Sequence, residues 1–487
     1  MDFSFFTKPY PHQEQVFHQT KEQPVFAFTW EMGLGKTKIA LDTLAYLYGT
    51  GRIEKALVIT LNGVHRNWVN KEIPTHLNPE LKYKAKYWRS SAGMKDFVDH
   101  AKHEGLFIAT INVEALSTKK GEEFLSAFVD DKCAVIVDES HAFKNPKAQR
   151  TKTLLKLASR VRIKRIMTGT PVTKSPLDIY CQYYFLDKNI LKEPSYYGFR
   201  NKYALLRALP SNPRVKIECG YRNLEELKRL TAPYTSRLTK EQCLDLPKKI
   251  YRRQSFLMTE EQEKIYKAVA KRIVLELSSK DGVASTISPQ LAIVRMLRLH
   301  QISCGFVVSE GADGKREEQY LFTPEKNPRI MALLDILEQV EGRVIIWTTY
   351  TNSLREIVSL LASMYGEKSV AGYSGETPQE KRMDIVTRFQ DANSGLRFFV
   401  GQPKAGGTGI TLTAASHVVY YSNDYDLVTR LQSEDRAHRI GQEKPVVYHD
   451  IECLDTIDSV IVDALVSKRE IASVITGDKL VEWITKE

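Results

Sequence analysis

Val25-Phe26-Ala27-Phe28-Thr29-Trp30-Glu31-Met32-Gly33-Leu34-Gly35-Lys36-Thr37 decides how the rest of the chain is read. Its first four residues are apolar and predict a buried strand. From Thr37 to about Tyr48, the residues Ile39, Ala40, Thr43, Leu44 and Leu47 recur at helical spacing. Strand, glycine turn, Gly-Lys-Thr and helix is the setting a phosphate-binding loop requires. Backbone N–H groups of such a turn, together with the positive end of the helix, face phosphate oxygens. Gly33 and Gly35 let the backbone approach, Lys36 brings a charge to the β- and γ-phosphates, and the Thr37 hydroxyl is placed for Mg²⁺. The loop is a short variant, because Trp30 stands where the general pattern has glycine.

The chain of 487 residues is too long for one core and predicts two to four domains. Its 43% hydrophobic and 26% charged residues are those of an ordinary globular protein. No basic stretch followed by an apolar one opens the sequence, and no apolar run reaches the roughly 18 residues needed to span a bilayer. Six scattered cysteines without a Cys-x-x-Cys pair argue against a zinc site or a disulfide framework. A cytoplasmic location follows as the expectation, at a nucleoid or a viral replication complex. Between Asp187 and Arg329 lie 27 Lys and Arg against 17 Asp and Glu, so ten of the eleven surplus positive charges fall there. A basic excess so placed suggests a polyanion. The plainer alternative is a solvated helical surface rich in Lys and Arg.

Upstream of the loop, Gln13 follows Pro11-His12; an amide there can read the adenine edge as donor and acceptor together. Buried strands are expected at Ala56–Thr60, Leu106–Thr110, Ala134–Val137 and Arg165–Met167, with Asn62–Ile73 leading into a helix. The fourth strand ends in Asp138-Glu139-Ser140-His141. Two adjacent carboxylates at the end of an apolar strand are costly unless they bind something. Asp138 would hold Mg²⁺ and Glu139 would orient and deprotonate an attacking water; an acidic, wet strand end is the structural alternative. The middle, 186–325, loses the alternation and reads as a helical, basic insertion with an exposed loop at Glu310–Glu318. Alternation resumes with strands at Val344–Trp347, Leu396–Val400 and Val418–Tyr421. The turn Lys404–Gly409 would bring backbone close to a phosphate chain. In Gln432–Gln442, Arg436 and Arg439 stand three apart and would share one helix face, which suits arginine fingers acting across a cleft. An amphipathic helix from Thr456 to about Leu480 closes the chain. The expected divisions are 1–185, 186–325, 326–455 and 456–487.

With these residues in place, the chain resembles the Swi/Snf-type ATPases of helicase superfamily two. Glu31–Thr37 is similar to their first motif, Asp138–His141 with Lys144-Asn145 to their DExH motif, Thr168–Pro171 to T-G-T-P, and Glu434–Gln442 to E-D-R-A-H-R-I-G-Q. The resemblance implies an α/β fold of two RecA-like parallel-sheet lobes with a helical insertion. It further implies a DNA-stimulated ATPase that uses ATP and Mg²⁺, tracks on duplex or branched DNA by sequence-independent backbone contacts, and acts as a monomer. By carry-over, Gln13, Gly33, Gly35, Lys36, Thr37, Gly409 and Gln442 serve the nucleotide. Thr37 and Asp138 serve the metal; Lys36, Glu139, Arg436 and Arg439 serve hydrolysis. Asn67, Trp68, Thr110, Thr349, Lys404 and Thr408 lie in DNA-contacting segments, and His141, Thr168 and Thr170 couple the two. Trp30 departs from the usual acidic residue, and Lys404 from a common Arg. With no chromatin-reading module in view, a compact enzyme remodelling forks, junctions or bound proteins is expected. The alternatives are a strand-separating DNA helicase, an RNA helicase, and an ATP-switched DNA clamp that does not step.

Overall fold

Each apolar run named in the first 170 residues becomes a strand of one parallel sheet. In the computed structural model that sheet holds β1 (Val25–Phe28), β2 (Lys55–Thr60), β3 (Tyr83–Tyr87), β4 (Leu106–Asn112), β5 (Cys133–Asp138) and β6 (Ile163–Met167), of which β3 is not among the expected strands. The structure describes residues 3–91, 97, 104–209, 212–278, 289–310, 316–405 and 409–476. A hairpin, β7 (Ala204–Leu209) with β8 (Asn212–Tyr221), stands apart from the sheet, and the short β9 (Thr235–Ser236) completes it in the order β3-β4-β2-β5-β6-β1-β9. Strands β2 and β5 are buried along their whole length. Alternate residues feed two cores: Leu57, Ile59, Val135 and Val137 on one face, and Ala56, Val58, Ala134 and Ile136 on the other. Burial on both faces is why these strands read as continuous apolar runs. Because every pairing is parallel, the loops that follow β1, β5 and β6 open at one edge.

A second sheet has the order β10-β17-β16-β13-β15-β14. Its strands are β10 (Lys249–Phe256), β13 (Arg343–Trp347), β14 (Val370–Tyr373), β15 (Phe398–Gly401), β16 (Ala415–Tyr420) and β17 (Val446–Cys453); β11 (Phe306–Glu310) and β12 (Arg316–Tyr320) form a separate antiparallel pair. The chain divides into two compact units, Met1–Arg207 with Glu218–Asp245 and Glu470–Lys479, and Ala208–Ile217 with Leu246–Arg469 and Leu480–Glu487. The middle third is thus shared between the units, mainly at Asp245/Leu246. Helices dominate it, at Leu224–Thr231, Glu260–Ser278 and Pro289–Ser303, but β10 joins the second sheet. Of the expected loop Glu310–Glu318, Glu310 ends β11 and Arg316–Glu318 open β12, while residues 311–315 lie outside the described residues. The last helix runs Ile457–Thr476, and its expected continuation toward Leu480 also lies outside them. Among the described residues no helix is long and apolar enough to cross a membrane.

The second unit is pinned by a buried ionic cluster. Arg329, with no exposed surface, pairs with Asp458 and donates from Nε to the Ser303 carbonyl at 3.1 Å. His300 shares a 2.9 Å hydrogen bond with the Tyr350 hydroxyl, and its Nε2 lies 3.6 Å from Asp458 Oδ1. Burial, reinforced by Arg329, pushes the His300 imidazole down from 6.5 to about 4 despite Asp458. A histidine held neutral in the fold gives stability that is present above pH 6.5 and is lost as pH falls toward 4. Urea unfolding of the second unit's transition should therefore show a steeper loss between pH 6.5 and 4.5 for the native chain than for His300→Gln. Identical slopes would remove His300 from the account.

Candidate functional site: the nucleotide loop and its acidic partner

The loop after β1 is shaped by two glycines and a helix without a cap. Gly33 and Gly35 take φ values of 84° and 78°, the left-handed region that glycine enters without a steric penalty. Helix Lys36–Gly49 starts directly on Gly35 with no side-chain cap, so its first N–H groups are left for an external acceptor. The Lys36 ammonium donates to the carbonyls of Trp30 at 2.8 Å and Glu31 at 3.2 Å, curled into the turn it would serve. Thr37 is half-buried in the helix's first turn. Gln13 lies beneath the loop. Its Nε2 donates to the Leu34 and Gly35 carbonyls at 3.3 and 3.2 Å, and its Oε1 accepts from Tyr10 N–H at 2.8 Å. A Cβ on Gly35 would come within 1.9 Å of that Nε2, so the glycine is required by this contact as well as by its φ. With both ends of its amide engaged, Gln13 braces the loop rather than presenting a bare amide edge to a base.

Opposite the loop, Asp138 is nearly buried at the end of β5. Its Oδ2 accepts from Thr60 Oγ1 at 3.1 Å and Trp68 Nε1 at 3.2 Å, and its Oδ1 from the Glu139 N–H at 3.1 Å. Burial, together with neighbouring Glu139, raises the Asp138 carboxyl to about 6, against the opposing pull of Lys36. Glu139 has φ 52°, a conformation a side-chain-bearing residue adopts at a cost of about 1–2 kcal/mol. It is fixed by a triangle: His141 Nδ1 lies 3.3 Å from Glu139 Oε2 and 3.0 Å from Thr168 Oγ1, and that hydroxyl lies 3.5 Å from Oε2. Thr168 Oγ1 also accepts the Thr170 N–H at 3.1 Å. The structure therefore brings Lys36, Asp138, Glu139, His141 and Thr168 to one edge of the first sheet. The uncapped helix and glycine turn suit a polyphosphate, and the adjacent carboxylates suit a hard divalent cation.

Trp30 is completely buried. Its ring packs edge-on against Phe28 and His12, and its Nε1 donates to Ser236 Oγ at 2.9 Å. The carbonyls of Ser236 and Leu238 accept the N–H groups of Thr29 and Glu31, each at 2.9 Å, so residues 236–238 form a strap along the loop's approach. The sequence reading missed this strap. Its only signal is a short Thr-Ser pair that does not stand out from the surrounding helices.

Several DNA-contact expectations need correction. Trp68 is 1% and Thr110 0% exposed; one is spent on Asp138 and the other donates to the His65 carbonyl at 2.8 Å, so neither side chain reaches a surface. Asn67, exposed in the same helical stretch, bonds Glu72 Oε1 at 3.2 Å. In the second unit, Thr349 and Lys404 line a cavity of about 120 Å³ at the ends of the second sheet's strands, together with Ser422 and Asp424. Lys404 pairs with Asp424 at 2.5 Å, and the Thr349 N–H donates to Ser422 Oγ at 2.9 Å. Thr408 lies outside the described residues, while Gly409 just after it has φ 75°.

Arg436 and Arg439 do not share a helix face. The helix Leu427–Ala437 ends between them, because His438 leaves helical geometry (φ −97°, ψ 81°) and its Nε2 bonds the Pro247 carbonyl at 2.7 Å. Arg436 is buried on the last turn, and Arg439 reaches the Ile410 carbonyl at 3.4 Å from the following bend. Gln442, expected at the nucleotide, is instead buried. Its Nε2 donates to the carbonyls of Thr413, Ala415 and Ala437, and its Oε1 accepts the Lys444 N–H, so its amide is spent on loop structure.

Residues 26–305 match the family model described as SNF2-related domain, and residues 325–441 match helicase conserved C-terminal domain. YwqA of Bacillus subtilis (strain 168) is 26% identical over 467 residues, covering 94% of this chain and 47% of that protein. The DNA repair and recombination protein RAD54B of Mus musculus is 25% identical over 487 residues, covering 91% and 53%. The chain spans about half the length of the curated relatives it matches. The solved Sulfolobus solfataricus SWI2/SNF2 ATPase core in complex with dsDNA aligns over 98% of this chain and 95% of that one, at 22% identity and a TM-score of 0.42.

The Trp30 packing can be tested by stability alone. Trp30→Phe keeps most of the buried ring and loses the bond to Ser236, so urea unfolding should give a loss of about 1 kcal/mol. Trp30→Ala should cost about 3–5 kcal/mol. Equal losses for both would mean the indole N–H, not ring volume, dominates.

Proposed function

The chain belongs to the SNF2-related domain family, and from that premise we propose that it is a DNA-stimulated ATPase that moves along duplex DNA and remodels forks, junctions or bound proteins. The observation that carries this reading is the uncapped, glycine-shaped helix start of Lys36–Gly49 placed at the same sheet edge as Asp138 and Glu139. Lys36 exchanges its carbonyl partners for phosphate oxygens, a swap that keeps the ammonium satisfied in both arrangements. Thr37 and Asp138 are the residues that would hold Mg²⁺, which supplies charge neutralisation to the phosphates when bound. Glu139 takes the proton of the attacking water, and its strained backbone keeps its carboxylate turned toward His141 and Thr168. Through that triangle the turn Thr168–Thr170 responds to the state of the carboxylate. Arg439, and Arg436 from the last helical turn, supply positive charge to the transition state.

DNA as partner is supported by the positive surplus between Asp187 and Arg329 and by the repair and recombination named for RAD54B. Binding through backbone phosphates is sequence-tolerant and weakens steeply with salt. Thr349 and Lys404 in the second unit, and Asn67 in the first, are the proposed contacts that stay accessible.

Lys36→Ala should abolish ATP turnover, and survival of turnover would displace the site. Glu139→Gln should bind ATP yet hydrolyse it about 10²–10⁴-fold more slowly. Arg439→Ala should reduce DNA-stimulated turnover by about 10³-fold with ADP affinity nearly unchanged; equal loss of both would make Arg439 structural. Turnover measured on single-stranded, duplex, forked and four-way DNA ranks the substrates. Displacement of a triplex-forming strand then separates a moving enzyme from a clamp: turnover without displacement would sink the motor reading.

A further inference from the structure

The parallel ladder between β1 and β6 stops where the chemistry begins. Its last backbone bond runs from Thr168 N–H to the Phe28 carbonyl at 3.1 Å. Beyond it, β1 leads into the phosphate loop and β6 into the turn Thr168–Thr170. One side chain continues the connection. Arg237, its side chain 16% exposed, donates from Nη1 to the Thr29 carbonyl and, at 3.1 Å, to the Gly169 carbonyl. Its Nη2 stands 3.9 Å from Glu31 Oε1, and Glu31 Oε2 accepts the Lys240 N–H at 2.8 Å. The buried Lys240 stem passes 3.9 Å from where a Cβ on Gly33 would sit. A guanidinium thus joins the approach to the phosphate loop, the loop's first residue and the turn that carries Thr168.

We propose that Arg237 is a positioning residue for ATP hydrolysis. By holding the Thr29 and Gly169 carbonyls on the one nitrogen Nη1 of a rigid guanidinium, it fixes the phosphate loop relative to the Thr168 turn, and through Thr168 it sets where Glu139 and His141 stand. The inference rests on the reading of Glu31–Thr37 as the nucleotide site. Arg237 bonds backbone carbonyls on either side of the site, so its removal should change the rate of hydrolysis far more than nucleotide affinity. A lysine keeps the charge, but its ammonium on a flexible stem lacks the rigid plane that aims Nη1 at both carbonyls while Nη2 faces Glu31.

The test uses the full chain with saturating duplex DNA, comparing Arg237→Ala and Arg237→Lys with the native protein. The expected result is a fall in kcat of about ten- to a hundredfold for both variants, the loss of a charge-assisted hydrogen bond or two. KM for ATP and the affinity for a fluorescent ADP analogue should stay within about threefold. Millimolar guanidinium should restore part of the turnover of Arg237→Ala while leaving the native enzyme unaffected. Unchanged kcat in both variants, or a matched fall of kcat and ADP affinity without guanidinium rescue, would overturn the proposal. Should Arg237→Ala fold poorly, Arg237→Lys carries the comparison of kcat with ADP affinity. Lys36→Ala, run in parallel, keeps the two readings apart: ADP binding that is lost there preserves the nucleotide site whatever Arg237 does. ADP binding and turnover that survive there overturn the site and this inference together.

Discussion

A carboxylate buried at the end of β5 sets terms that the surrounding elements must meet. Asp138 has little exposed surface, and leaving its oxygens without donors would cost several kcal/mol. Three donors from three places answer it: Thr60 at the end of β2, Trp68 from the helical stretch after β2, and the backbone N–H of Glu139. The stretch Val64–His76 widens into a five-residue turn at Trp68–Glu72, where the indole turns inward. The same requirement accounts for the left-handed backbone of Glu139, which lets its N–H reach back to the preceding carboxylate. Even so, burial keeps the Asp138 carboxyl near 6, so the site is poised for a positive partner.

The loop meets a different constraint, and Trp30 is its answer. Here the position is filled by a large ring, completely buried, with its one polar atom satisfied by Ser236. The loop is consequently held from its approach by packing and by the 236–238 strap, from beneath by Gln13, and across the sheet edge by Arg237. Gln13 and Arg237 reach the loop through its carbonyls and Trp30 through its ring and the Ser236 hydroxyl, and the helix start carries no side-chain cap.

How much of this was legible in the sequence follows from burial. Strands β1, β2, β4, β5 and β6 lie inside a sheet covered on both faces, so their apolar runs announce them. Strand β3, Tyr-Lys-Ala-Lys-Tyr, is an edge strand whose lysines alternate, and β10, with Lys249, Arg252 and Arg253, reads as charged surface. Strand β9 has two residues, too few for any period to register. The phosphate loop and the acidic pair could be read because their chemistry demands particular residues at fixed spacing. Whether Trp68 and Thr110 faced outward could not be read, because which donor answers a buried carboxylate depends on tertiary placement. The Arg436–Arg439 face failed for a related reason: a helix end set by His438 reaching the Pro247 carbonyl depends on a residue 191 positions away.

The long string Glu434–Gln442 is specific, yet most of its specificity is scaffolding. Glu434 has no exposed surface and is met by Arg430 Nε at 3.0 Å, Lys249 Nζ at 3.1 Å and the Tyr251 hydroxyl at 2.8 Å. Arg430 also pairs with Asp450, Nη2 to Oδ2 at 2.9 Å, and donates from Nη1 to Asn423 Oδ1 at 2.8 Å. Such a buried hub adds little net stability over apolar packing, but removing one member strands a charge, so its members are constrained together. Gln442 and His438 are likewise spent on backbone carbonyls. Among the described residues, Arg439 has a single long hydrogen bond, to Ile410, on a half-buried side chain beyond the helix end. A motif this long therefore identifies the fold of the second unit more than its chemistry, and Arg439 is the position where a catalytic role is least in competition with a structural one.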